Sequence, residues 1–466
     1  MKSKLFLIVG IILLLTGCTL IPKYNRPQAP VPATWPEGPA YKNSQRGAPA
    51  AVELKWREFF TDERLQKIIE TALHDNRDLR LASLTVERAR ALYRIQRNEL
   101  LPAVNAVGTY DRQRVPADVS GIGTSIDVKE YSVALGISSW EIDFFGRIRS
   151  LGKKALEEYF ATEEARRSAQ ILLVSEVANA YLTLAADRET LKLARSTLET
   201  QQAAYDLIRK RYEKGIATAL DLHQAQTQVD AARVDIARYT QLAALDANAL
   251  NLLVGLPVPA DLLPESLGNV TPPKEIAPGM SSEVLLLRPD ILSAENLLKA
   301  ANANIGAARA ALFPRISLTT AFGTASNELS GLFKAGRDTW AFSSQIVLPI
   351  FDARAWAALD TTKVEREIAV AQYEKAIQTA FREVADALAQ RGTVGDQMEA
   401  QQSLVNATSE TYRLANLRYT KGIDSYLGVL DAQRSHYASQ TGFIAIRLAD
   451  LANQVRLYAV LGGGRE

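Results

Sequence analysis

The side chains that could do chemistry are few and scattered. His74, His223 and His436 are the three histidines of the 466 residues, and no two stand at a metal-ligand spacing. Cys18 is the one cysteine, which excludes an intrachain disulfide and any cysteine-based zinc site. The chain has no Walker-A phosphate loop, no His-Glu-x-x-His pair and no Gly-x-Ser-x-Gly elbow. Ser, His and Asp occur, but nothing in their placement supports a triad. The expectation is a non-enzyme without metal or cofactor.

Cys18 carries chemistry of another kind. Lys2 and Lys4 precede an apolar run from Leu5 to Leu15, followed by Thr16-Gly17-Cys18. A charged start, a short apolar core and small residues mark a secretory signal over residues 1–17. The run is too short to span a bilayer as a helix. Leu15-Thr16-Gly17-Cys18 resembles a bacterial lipobox, in which the cysteine is lipidated and becomes the mature N-terminus. A lipid chain anchors a protein to a membrane without spanning it. Thr19, rather than Asp, is similar to lipoproteins sorted to the outer membrane. The formal charge of +2 belongs to Lys2 and Lys4; without them 52 basic residues face 52 acidic ones. Neutrality gives no reason to expect a nucleic-acid partner.

Proline placement shows which elements position the rest. Seven of the 18 prolines lie between Pro22 and Pro49 and six between Pro257 and Pro278, so both segments read as extended linkers. None lies between Arg147 and Leu256, and none follows Pro349. Between Lys153 and Lys214 there is neither Gly nor Pro, which predicts a helix on the order of 90 Å. In Tyr373–Leu388 the residues Tyr373, Ile377, Ala380, Phe381, Val384 and Leu388 form an apolar stripe at helical spacing. Gly392 and Gly395 fall inside the second long helix and are expected to loosen it.

The two halves are copies. Arg211-Tyr-Glu-Lys-Gly-Ile216 matches Arg418-Tyr-Thr-Lys-Gly-Ile423 at an offset of 207, and Asp78 and Pro102 match Asp290 and Pro314 at 212. The division is therefore 18–60 an N-terminal linker, 61–255 a first repeat, 256–280 a linker and 281–466 a second repeat. Each repeat reads helix, strand, strand, very long helix, tight turn, helix. The strands are expected at Ala103–Val115, Val128–Phe144, Arg315–Gly323 and Trp340–Ile350. In the last two, Ile316, Leu318, Thr320 and Phe322, and Trp340, Phe342, Ile346 and Leu348, alternate with small or polar residues. Period-2 alternation with aromatics near the ends is how a membrane β-barrel strand reads. Four strands cannot close a barrel, and open edges are not tolerated in lipid, so several chains must share one. Asp78–Leu100 and Ala219–Val254, stacked end to end, match the long helix beside them.

These residues resemble the outer-membrane factor (TolC-like) family, in its lipoprotein branch serving efflux. The signatures are Arg288-Pro-Asp-Ile291, the run Ala301–Ala311, Phe313-Pro314 with Ile316-Ser-Leu318, Asp143-Phe-Phe-Gly-Arg147, Tyr373–Gln378, Leu430–Arg434 and Leu461–Gly464. The resemblance implies an α+β, mostly α, membrane protein. Three protomers would share a 12-stranded transmembrane β-barrel continuous with a 12-helix periplasmic α-barrel, with an equatorial belt from the termini and linker. It implies a homotrimer in outer-membrane lipid, a periplasmic adaptor and an inner-membrane pump of the resistance-nodulation-division class. The duct would pass drugs or toxic compounds to the exterior; protein secretion of type I or heavy-metal efflux are the alternatives. An adaptor lipoprotein or an envelope coiled coil fits less well, because neither needs two copies of a strand pair.

The resemblance also implies a gate where helices meet at the periplasmic tip. Asp424 and Asp431 match acidic constriction positions and would form negative rings, which bias permeation. Tyr212 and Tyr419 match tyrosines that tie neighbouring helices. A further acidic position is Gly428 here, with Asp221 available from the other turn. Lys214, Gly215, Lys421 and Gly422 are candidates for docking the adaptor, the glycines also standing as helix C-caps. Blander readings remain: Asp424 as the N-cap of the next helix, Asp431 as a solvated helix position, and the tyrosines as packing residues.

Overall fold

Runs without Gly or Pro set the two longest elements. The computed structural model describes residues 19–42, 51, 54–277 and 281–464. The signal segment and Cys18 lie outside the described residues. The first repeat contains α1 (Trp56–Phe59), α2 (Glu63–Asp75), α3 (Arg77–Asn98), β1 (Val104–Val115), β2 (Ile126–Ile142), α4 (Arg147–Glu213) and α5 (Ala219–Val254). The second contains α6 (Pro289–Ala310), β3 (Arg315–Ser326), β4 (Asp338–Val347), α7 (Ala353–Thr420) and α8 (Tyr426–Val460). The internal match extends to element length. Helices α3 and α6 have 22 residues each, α4 and α7 have 67 and 68, and α5 and α8 have 36 and 35.

The chain divides into two compact units that cut across the repeats. One comprises the described residues through Gln28 with Val86–Thr162 and Ser293–Tyr373; the other comprises Ala29–Thr85, Glu163–Leu292 and Glu374–Glu466.

The first unit holds the sheet. Its order is β1-β2-β3-β4, all antiparallel. Register decides which side chains share a face, because directly opposed residues point the same way. Tyr110 pairs with Tyr131, Leu135 with Phe322, and Phe322 with Trp340. One face therefore carries Val104, Tyr110, Val133, Leu135, Phe322, Trp340, Phe342 and Ile346, all exposed. The opposite face carries Asn105, Thr109, Ser132, Thr319, Ser343 and Gln345. The sheet thus has an apolar exposed side and a polar one. The register slips between Ile137 and Trp140, where Ser139 takes φ 51° and its N–H donates to Thr319 Oγ1 at 3.1 Å.

Strand limits differ from the sequence reading by a few residues. β4 starts at Asp338 and stops at Val347, short of Ile350, because Pro349 has no N–H to give a ladder. β2 starts at Ile126 and ends at Ile142, after which the Asp143 carboxylate accepts from Ile148 N and Arg149 N at the start of α4.

In the same unit the chain after Thr19 lies along α6. Asn302 Nδ2 donates to the Pro22 carbonyl at 2.8 Å. Glu295, 2% exposed, accepts from Tyr24 Oη, Arg26 Nε and Lys299 Nζ. A buried carboxylate is tolerated there because donors surround it.

The second unit is helical. Its core includes Ile68, Ile69, Val177, Tyr181, Leu182 and Leu184, and Phe59 stacks on Tyr458 at 4.0 Å. The stripe residues Ile377, Ala380 and Val384 are buried as their spacing predicts, and Tyr373, the last residue of the first unit, is buried too. The expected end-to-end stacking is present as a side-chain joint. Asn76, ahead of α3, donates Nδ2 to the Leu253 carbonyl in the last turn of α5 and accepts from Leu79 N. In the second repeat Arg288, ahead of α6, donates Nη1 to the Val460 carbonyl in the last turn of α8. These are the same positions at the two repeat offsets, and both give an orphan end-of-helix carbonyl a donor. Arg288 also holds Asp290 and Glu383, at 2.7 and 2.9 Å.

The expected loosening of α7 does not occur. The helix runs unbroken through Gly392 and Gly395. Gly392 is instead a crossing point: a Cβ there would sit 2.2 Å from the Ala40 carbonyl oxygen. The absent side chain lets the N-terminal segment lie against α7, with Trp35 stacked on Phe381 at 5.3 Å.

Candidate functional site: the two helical turns

Both turns close in the same way because both sequences supply glycine at the same place. Gly215 and Gly422 each take φ 71°, where a Cβ would be strained. Ile216 N donates to the Arg211 carbonyl at 2.8 Å, and Ile423 N to the Arg418 carbonyl at 3.0 Å. This is the closure of a helix ended by a left-handed residue. Lys214 and Lys421 are exposed beside the glycines, as are Ile216, Leu220 and Ile423. The exposed isoleucines and leucine were not singled out from sequence, although Ile216 and Ile423 end the repeated motif.

The restart of each second helix differs. α5 begins with a capping box in which Thr218 Oγ1 accepts from Asp221 N and the Asp221 carboxylate accepts from Thr218 N at 2.9 Å. Asp221 is therefore committed to a cap. In the other turn the N-cap is Ser425, without a side-chain cap bond, so the N-cap reading of Asp424 is overturned. Asp424 turns back and takes both the Nε and Nη2 of Arg418, the latter at 3.1 Å. The Arg418 guanidinium holds its carboxyl below the usual range. Asp431 is exposed and pairs with Arg434 one turn on. Cβ space beside Gly428 is open.

The tyrosines separate. Tyr212 is exposed. Tyr419 receives Arg211 Nη1 on its hydroxyl at 2.9 Å, with that guanidinium 5.2 Å from its ring and Tyr426 5.1 Å away. Arg211 lies in the last turn of α4 and Tyr419 in the last turn of α7, so this contact ties the two helical hairpins together. Beneath it Ile208, Ala225, Tyr426, Val429 and Leu430 form a buried cluster. Burial pushes the Tyr426 hydroxyl up to about 12.

The arginines are what sequence reasoning missed. Arg211 and Arg418 are the same repeat position, yet one binds a tyrosine and the other a carboxylate. The reason is legible: Ala217 stands in the first turn where Asp424 stands in the second. Within one protomer each acidic candidate is thus paired, Asp424 with Arg418 and Asp431 with Arg434. Both pairs are exposed and screened by solvent, so they open readily. Among the described residues no group of three His, Cys, Asp or Glu side chains is placed to hold a metal.

Comparison with known proteins agrees with this architecture. The family described as outer membrane efflux protein matches residues 68–256 and 280–463. The toluene efflux pump outer membrane protein TtgC of Pseudomonas putida is 51% identical over 464 residues, covering 99% of this chain and 96% of that protein. The outer membrane protein OprJ of Pseudomonas aeruginosa is 43% identical, covering 100% and 97%. The open-state MtrE outer membrane channel of Neisseria gonorrhoeae superimposes with a TM-score of 0.87 at 37% identity, over 96% of this chain and 99% of that one.

Proposed function

This chain belongs to the outer membrane efflux protein family and serves efflux at the outer membrane, and we propose that it does so as a passive duct whose wall is completed by two further copies of itself. The carrying observation is the sheet. It presents an exposed apolar face and a polar face, and its outer strands β1 and β4 each pair on one side only among the described residues. In lipid every backbone N–H and C=O needs a partner. Edge-to-edge pairing of three such sheets gives a closed 12-stranded barrel, apolar outside and polar inside. The long helices continue the duct as a 12-helix periplasmic tunnel, and lipid on Cys18 anchors the N-terminus.

No catalytic step belongs to this reading. Cargo is driven by an inner-membrane pump of the resistance-nodulation-division class through a periplasmic adaptor. The tip at Lys214, Gly215, Lys421 and Gly422 is where the adaptor docks. Exposed Ile216, Leu220 and Ile423 beside two lysines support this, since apolar anchors within a charged rim suit a protein partner. Drugs and organic solvents are the cargo class, in line with the toluene efflux named for the relative. The gate is the Arg211–Tyr419 tie with Asp424 and Asp431, whose carboxylates face the lumen once freed from Arg418 and Arg434.

Two measurements test this. Unheated gels and membrane fractionation must show a heat-sensitive trimer in the outer membrane; a monomer there sinks the shared barrel. In planar bilayers the Asp424→Ala/Asp431→Ala double variant must change conductance and ion dependence. Unchanged values remove both residues from the gate.

A further inference from the structure

A cavity of about 400 Å³ lies in the first unit, where β2, β3 and β4 meet the ends of α4 and α6. Glu141 takes the fork of Arg147, with Nε and Nη2 both at 2.9 Å, and receives Arg315 Nε at 3.4 Å. Asp143 also lines the cavity, but its oxygens are taken by Arg149 Nε and by the amides of Ile148 and Arg149. Glu99 also acts on Arg147, so three carboxylates face the three guanidiniums of Arg147, Arg149 and Arg315. Free donors remain on Arg315, whose side chain is 57% exposed and whose terminal nitrogens make no bond to the described residues.

The surroundings of Arg315 are specific. It lies on the polar sheet face with Ser317, and Ser317 pairs with Gln345 across to β4. On the other side Phe313 stacks on Phe145 at 4.8 Å and 23°, and stays 42% exposed. Five guanidinium donors in a rigid fork match a carboxylate, and an exposed ring face matches an apolar or aromatic body. An apolar wall with a few convergent polar groups is how a small-molecule site is built. An organic cation would find no acceptor on the Arg315 terminus.

We propose that this cavity binds organic anions with an aromatic or apolar body, the carboxylate on Arg315 and the body against Phe313. Arg147, fixed by Glu141, positions Glu141 so that Arg315 is aimed rather than free. Binding itself goes beyond the duct reading; only its use as a resting place for anionic cargo depends on that reading.

The test is calorimetric titration of the full-length protein in neutral maltoside detergent with 1-naphthoate. The comparators are 1-naphthylmethanol and 1-naphthylmethylammonium. Wild type is expected to bind naphthoate saturably and at least about tenfold more tightly than either comparator, the scale of one charge-assisted hydrogen bond. Arg315→Gln removes that preference, Arg315→Lys keeps part of it because the charge stays while the fork is lost, and Gln345→Leu weakens naphthoate less. Arg315 and Gln345 are exposed, so all three variants fold. Equal binding of naphthoate and the alcohol, unchanged affinity in Arg315→Gln, or no saturation in wild type up to millimolar probe overturns the site. Planar-bilayer current is read in parallel. Protein that binds naphthoate but conducts nothing refutes the duct and leaves the site standing.

Discussion

Gly392 and Gly395 lie three residues apart in one helix, and replacing each by alanine should shift stability in opposite directions. Alanine in a helix interior ordinarily gains about 0.5–1 kcal/mol over glycine. At Gly395 nothing lies within 4 Å of the added Cβ, so Gly395→Ala should realise that gain. At Gly392 the Cβ would stand 2.2 Å from the Ala40 oxygen and 2.8 Å from Lys42 N, both backbone atoms that cannot rotate away. The crossing segment must retreat by about 1 Å, an overpacking that costs about 1–3 kcal/mol. The retreat also disturbs the Trp35–Phe381 stack, and such pairs contribute about 0.5–1.5 kcal/mol. Set against the gain in helix propensity, these leave a net loss of roughly 1–3 kcal/mol for Gly392→Ala. Thermal unfolding followed by circular dichroism in neutral detergent measures the order of the two variants. Hydrogen exchange over residues 35–42 should rise only in Gly392→Ala. Shifts of the same sign in both variants, or unchanged exchange over 35–42, would refute the crossing-point account and restore both glycines as mere weak points in the helix.

The other predictions concern the joint and one carboxylate pair. Arg288→Met keeps the stem but strands Asp290, Glu383 and the Val460 carbonyl. The stranded carboxylates are 40% and 28% exposed and partly rehydrate, so the loss should be about 1–3 kcal/mol, read as a fall in the unfolding midpoint. Asn76→Ala removes the matching neutral joint and a helix cap, and should cost only about 1–2 kcal/mol by the same measurement. Burial, with the Asp187 carboxyl beside it, pushes Asp246 up to about 6. The folded pKa is then above the unfolded one, so the stability from this group is full below about pH 4 and lost as pH rises through about 6. Asp246→Asn should flatten the stability profile over that window, and an unchanged profile between pH 4 and 7 refutes the assignment.

Much of the fold was legible along the chain. Absence of Gly and Pro from Lys153 to Lys214 dictated a long helix, because nothing in that stretch interrupts i to i−4 bonding. Gly215 and Gly422 marked the turns, since only glycine takes a positive φ without strain. Duplication could be read from identities at offsets of 207 and 212. Alternation of Phe322, Trp340, Phe342 and Ile346 announced strands with one apolar face. Apart from the duplication, these are local properties, carried by residues within a few positions of one another. The candidate tip was legible to the level of which turn, and no further.

Pairing across the fold could not be read this way. Asp424 looked like an N-cap by its distance from Gly422, but Ser425 takes that place and Arg418 claims the carboxylate. Gly392 and Gly395 looked alike, but one faces the Ala40 backbone and the other faces open space. Arg211 and Arg418 hold the same place in the repeated turn motif, yet only Arg211 bonds Tyr419. The Ala217/Asp424 difference is visible in the sequence, but which side chain each arginine takes, and what each glycine faces, is set by packing between elements. The chain alone therefore determined its elements, its duplication and its amphipathic strands; the tertiary structure decided which charges are paired, where glycine means contact, and where Arg315 is left with donors to offer.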